Sequence, residues 1–127
     1  MKQRKVLVVD DNPDAVLIVR STLESHGYAV SAADSARTAL ELVESDPPDV
    51  VLLDVMMPDM SGIEMLEILK SSPRTGAIPV ILLTAKSQDE DLLTGYQVGA
   101  DYYITKPFTA RQLLYGVQLV LGEERPS

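Results

Sequence analysis

VVLLDVMMPDMSG, Val50 to Gly62, opens as an unbroken apolar run, closes that run on a carboxylate at Asp54, and breaks at Pro58 and Gly62. A continuous run, as opposed to an alternating one, suits a strand covered on both faces of a parallel sheet. An acid at its end stands beside a hydrophobic core, where an unpaired charge is costly. Asp54 is therefore a helix cap, a turn former, or the residue the strand exists to present.

Four further apolar runs flank this one at fairly even intervals: KVLVVD (5–10), YAVSAA (28–33), PVILLT (79–84) and DYYIT (101–105). The first and fourth of the five runs are also continuous, whereas the second and fifth are mixed in polarity, as sheet edges are. Segments with helical spacing separate them. Pro13 fits a first helical turn capped by Asn12 or Asp11, with Ala15, Val16, Ile18, Val19 and Leu23 inward and an end at Gly27. A second helix opens near Ser35, with Ala36, Ala39, Leu40 and Val43 inward. A third starts at Ser61-Gly62 and shows Ile63, Leu66 and Leu69. A fourth covers about Gln88 to Val98, and a fifth runs from about Thr109 to Leu121. Strand and helix thus alternate five times, which predicts an α/β, doubly wound (βα)5 domain with a five-stranded parallel sheet. Order 2-1-3-4-5 places the two weak strands at the edges.

The chain has 127 residues, enough for one domain with its own core. A net charge of -8 argues against direct binding to nucleic acid, because a polyanion would be repelled. No apolar run is long enough to span a bilayer, and VLVV near the N-terminus is too short for a secretion signal. No membrane association and a cytoplasmic location are expected. Cysteine is absent, which removes disulfides and thiolate metal sites. Residues 1–121 read as the domain and 122–127 as a polar tail or the start of a linker.

Ligands of an open parallel sheet bind beyond the carboxyl ends of its strands, beside the point where strand order reverses. For order 2-1-3-4-5 that point lies between the first and third strands. The first ends in Asp10-Asp11, the third in Asp54 and the fourth in Thr84, and the fifth is followed by Lys106-Pro107. Gathered carboxylates repel each other, so at least one pKa should rise unless a cation neutralises them. The hard oxygens on offer suit Mg²⁺, with Mn²⁺ an alternative, better than zinc or copper. A carboxylate there could also act as a nucleophile toward phosphorus.

VVDDN, LLDVMMPDMSG, LLTA and TKPF, in this order at successive strand ends, resemble the receiver domain of bacterial two-component response regulators, a flavodoxin-like fold, over about Lys5 to Leu121. The resemblance implies a signalling switch that takes a phosphoryl group from a phosphohistidine onto Asp54. It implies that Asp10, Asp11, Asp54 and the backbone carbonyl of Met56 hold Mg²⁺. Thr84 and Lys106 would contact phosphoryl oxygens, Lys106-Pro107 would be cis, and Tyr103 would rotate inward as Thr84 moves. The phosphoryl source would be a sensor histidine kinase or a histidine phosphotransfer protein. Such a domain catalyses its own phosphorylation and dephosphorylation, and no enzyme acting on an external substrate is expected. The output would be a change in the face formed by the fourth helix, fifth strand and fifth helix.

A different expectation is a receiver-like interaction module that is not phosphorylated; the complete set of acids, Thr84 and Lys106 argues against it. A nucleotide-binding protein of similar topology lacks support, since no glycine-rich phosphate loop follows any strand. The last helix is too apolar for one buried face. Leu113, Leu114, Val117, Val120 and Leu121 would face the sheet, leaving Tyr115 and Leu119 on the far side, where a second copy or a downstream effector domain could dock.

Overall fold

The computed structural model describes residues 3–85 and 98–123. Its elements are β1 (Lys5–Val9), α1 (Pro13–Glu24), β2 (Ala29–Ala33), α2 (Ala36–Ser45), β3 (Val50–Asp54), α3 (Gly62–Ser71), β4 (Val80–Ala85), β5 (Tyr102–Lys106) and α4 (Ala110–Leu121). All strands are parallel, in the order β2-β1-β3-β4-β5. The expected helix over Gln88 to Val98 lies outside the described residues except for Val98, which is helical.

The continuous apolar runs follow from two cores, one on each face of the sheet. In β1 and β3, Leu7, Val9, Val51 and Leu53 join α2 and α3 on one face through Ala39, Val43, Leu66 and Leu69. The alternate residues Val6, Val8, Val50 and Leu52 join α1 and α4 on the other through Val19, Leu23, Leu113 and Val117. Each strand residue therefore meets a helix whichever way it points, and polar positions are excluded from the middle of β3. Every residue of β3 is buried, Asp54 included.

The helix starts are set by local chemistry. The Asn12 side chain accepts from the amides of Asp14 and Ala15, so Asn12 and not Asp11 caps α1, with Pro13 in its first turn. Ser61 and Glu64 form a capping box on α3, as Thr109 and Gln112 do on α4. Two expectations for α1 need correction. The helix ends at Glu24, three residues before Gly27, whose φ of 91° carries the chain toward β2. Ile18 is exposed at 52%, as is Leu17 at 62%, because a 3.6-residue period can bury Val19 and Leu23 but not the whole run VLIV. Past α4, Gly122 closes the helix in the left-handed conformation, and Glu123 accepts from the Tyr28 hydroxyl at 2.6 Å and pairs with Arg4 at 3.3 Å. Among the described residues, no helix is long and apolar enough to cross a membrane.

Candidate functional site

Four chain segments meet at the carboxyl edge of the sheet. Asp10 directly follows β1, and its backbone amide donates to Ala33 of β2 at 3.0 Å. Its carboxylate is fully buried and accepts from the Asn12 amide at 3.0 Å. Asp54 ends β3, and Lys106 ends β5. The Lys106 Nζ lies 2.7 Å from Asp10 Oδ2 and 3.4 Å from Asp54 Oδ2, so one ammonium bridges two acids that stand on different strand ends.

Asp10, Asp11 and Asp54 each bring a carboxylate oxygen within 4.8 Å of the other two; Asp11 is exposed and the others are buried. Burial, and then repulsion from Asp10, push the Asp54 carboxyl from its ordinary 3.8 to about 6, against the pull of Lys106 and a hydrogen bond from the Met56 amide. For Lys106, burial lowers the pKa, but the hydrogen bond to Asp10 and the charges of Asp54 and Asp10 outweigh it and the net shift is upward. An acid held up by its neighbours is relieved by added positive charge. The donor set is hard oxygen throughout, so this cluster fits a hard divalent cation. Beside it a groove of about 540 Å³ opens between α1 and α2, bordered by Asp10, Asp11, Pro13 and Asp34.

Thr84 is 2% exposed and stands opposite Thr105 in β5, and the next pair in register is Ala85 with Lys106. The Thr84 hydroxyl lies 3.3 Å from the Ala85 carbonyl. Tyr103 is buried in the core that β5 shares with α3. Met56 is exposed, and its amide donates to Asp54 Oδ1 at 3.2 Å. The Lys106-Pro107 peptide is cis.

Two residues matter to this geometry in ways the sequence does not show: Gly62, visible there only as a break and a helix start, and Asp59. A Cβ on Gly62 would collide with the Asp54 carbonyl and lie 2.8 Å from the Val55 Cα, because the Gly62 amide is drawn onto the Val55 carbonyl at 2.7 Å. Glycine thus allows α3 to start against the backbone that carries Asp54. Gly62→Ala should lower stability by about 2–3 kcal/mol, read from the urea midpoint; an unchanged midpoint would mean that the loop yields freely. The second residue is Asp59, whose carboxylate reaches across to α2 and accepts from the amides of Ala36 and Arg37. The run PDMS carries a turn signal but nothing that foretells this long-range partner.

Residues 6–118 match the family model described as the response regulator receiver domain. The chain is 38% identical over 126 residues to the phosphate regulon transcriptional regulatory protein PhoB of Pseudomonas aeruginosa, which covers 99% of this chain and 55% of that protein. It is 37% identical over 118 residues to Protein PilH of the same organism, covering 93% of this chain and 98% of PilH. The solved structure of the chemotaxis response regulator CheY4 of Vibrio cholerae superposes with a TM-score of 0.88 at 34% identity, over 94% of this chain and 99% of that one. The chain spans about half the length or less of the longer curated relatives it matches, from 28% to 55%.

Proposed function

The chain belongs to the response regulator receiver domain family, and from that premise we propose that Asp54 is its phosphoacceptor. The observation that carries the proposal is the bridging of Asp10 and Asp54 by Lys106 at the edge where the strand order reverses. An Asp54 oxygen attacks the phosphorus of a phosphorylated imidazole on a sensor histidine kinase or a histidine phosphotransfer protein. The new P–O bond forms as the P–N bond breaks, and the bonding pair stays on the ring nitrogen. Lys106 pairs with one phosphoryl oxygen and the Thr84 hydroxyl donates to another, each stabilising the charge spread over those oxygens in the transition state. Asp10, Asp11, Asp54 and the Met56 carbonyl would hold Mg²⁺. When bound, the ion supplies positive charge against the carboxylates and the phosphoryl oxygens. Incubation with acetyl phosphate and Mg²⁺ should add a single phosphoryl group to the intact mass. No gain at saturating acetyl phosphate and Mg²⁺ would contradict the proposal and favour an unphosphorylated interaction module.

Phosphorylation adds a charge of about -1.5 to -2 at the site, enough to move Thr84 and to shift Tyr103 in its core. The signal then passes to the face carrying β5 and α4, where Tyr115 and Leu119 are exposed at 44% and 50%. Tyr115 packs edge-on against Tyr102, with ring centroids 6.3 Å apart, so this patch is joined to the strand that bears Lys106. A second copy or an effector domain docks there in this reading. Tyr115→Glu with Leu119→Glu should shift sedimentation of the phosphorylated protein toward the monomer; identical sedimentation of variant and parent in both phosphorylation states would remove the docking face. We assign the receiver to residues 1–121, take 122–127 as a tail or the start of a linker, and place the protein in the cytoplasm, where kinase and phosphodonor meet it.

A further inference from the structure

The first four backbone amides of a helix have no partner inside it. In α2 three of them, at Ala36, Arg37 and Thr38, are taken, and by two different residues. The amide of Thr38 is satisfied by the Ser35 side chain at 3.2 Å, while the Ser35 carbonyl accepts the first bond of the helix itself, from Ala39 at 3.1 Å. The amides of Ala36 and Arg37 go to Asp59, one to each carboxylate oxygen, at 3.1 and 3.0 Å. Ser35 is a local cap from the residue before the helix. Asp59 comes from 22 and 23 residues away, in the loop that joins Asp54 to α3. Ser35 covers one of these amides and Asp59 the other two, so the Asp59 bonds complete the helix start and tie the loop to it.

That loop needs the help. Its ends are fixed by the Val55 amide on Leu83 at 3.0 Å and the Gly62 amide on Val55 at 2.7 Å. Between them Met56 is exposed, while Met57 and Met60 are only partly buried against the core. Asp59 is itself exposed, and an exposed carboxylate would ordinarily be hydrated and free to turn. Here the two-pronged contact fixes both its place and its direction. The two amides also hold its carboxyl below the usual range, so the grip persists wherever the acids of the site are ionised.

We propose that Asp59 is a positioning residue, which ties the Met56–Met60 segment to the start of α2 and so holds the Met56 carbonyl where a divalent cation at Asp10, Asp11 and Asp54 would meet it. This inference rests on the cation site proposed above. A ligand group must be held to within about 0.5 Å to be useful; the Met56 amide is tied to Asp54 Oδ1 at 3.2 Å, and Asp59 ties the other side of the same loop to α2. The plain alternative is a second helix cap, which would contribute stability and nothing else.

Calorimetric titration of the metal-free protein with Mg²⁺ separates the two. Asp59→Ala should weaken Mg²⁺ binding about tenfold, the usual scale for groups that orient a metal ligand. It should slow phosphoryl uptake from acetyl phosphate at low Mg²⁺ but not at saturating Mg²⁺. Asp59→Asn keeps one acceptor oxygen and should fall between Asp59→Ala and the parent. Ser35→Ala removes the other cap of the same helix, and should lower the melting temperature while leaving Mg²⁺ affinity unchanged. If Asp59→Ala, or Asp59→Asn should the alanine variant not fold, lowers the melting temperature as Ser35→Ala does and binds Mg²⁺ like the parent, Asp59 is only a cap and the proposal is overturned. A parent protein that binds Mg²⁺ yet takes no phosphoryl group would instead overturn the phosphoacceptor assignment, and the calorimetric comparison would still decide the role of Asp59.

Discussion

Lys106→Met lowers the stability of the metal-free protein at neutral pH by about 2–3 kcal/mol. Methionine keeps most of the apolar stem, so the loss reports the charge and not the packing. The Asp10 carboxylate is fully buried, and its contact with Lys106 is the shorter of the two ion pairs. Without the ammonium, Asp10 and Asp54 face each other uncompensated. Lys106 is itself partly exposed, so the figure is set below that for a fully buried pair. The pH dependence has a definite sign. The folded pKa of Lys106 is raised, so its contribution is complete below the ordinary value of 10.5 and is lost only as pH climbs through the raised one. On the acid side the contribution fades as the carboxylates protonate, and the gap between variant and parent closes. Mg²⁺ should stabilise the variant more than the parent, because it supplies the missing charge. Urea unfolding at pH 7, with and without Mg²⁺, checks both statements; equal midpoints without the ion would mean that the bridge contributes nothing.

Asp54→Asn should do two opposite things: abolish phosphoryl uptake and make the metal-free protein more stable. The carboxyl titrates at about 6 in the fold against an ordinary 3.8, which corresponds to about 2–3 kcal/mol of destabilisation by the ionised form. Since the folded pKa is raised, this group's contribution to stability falls as pH rises from about 4 to about 6 and is level above that. Asparagine removes the decline. The same protonation sets a limit on metal capture: as pH drops through about 6, the neutral acid of the metal-free protein is a poor ligand, so Mg²⁺ affinity should fall. A variant less stable than the parent at pH 7 would mean that Asp54 is there for the fold. A site tuned against stability is what a functional acid requires.

How much of this was legible in the sequence depends on whether the information is local. The runs 5–10 and 50–54 announced interior strands because both faces of each strand are covered, and the residue that ends the apolar run is then the one at the sheet's rim. Asp10, Asp54, Thr84 and Lys106 could be placed together for that reason, since register in a parallel sheet brings strand ends to a common edge. The facing of α1 was less legible. Val16-Leu17-Ile18-Val19 is apolar all round, and only the packing of α1 on the sheet shows that Leu17 and Ile18 are left out. The long-range contacts of Gly62 and Asp59 were illegible for a third reason. Each acts through a backbone brought near by the fold, a strand end for one and a helix start for the other, and no pattern in the residues around them encodes that approach.

The most direct test is to locate the modification. The protein is treated with acetyl phosphate and Mg²⁺, reduced with borohydride to convert any acyl phosphate to homoserine, digested and sequenced by mass spectrometry. The account predicts homoserine in place of Asp54 and at no other acid. Homoserine at Asp10 or Asp11, or a digest with none at all, would contradict it.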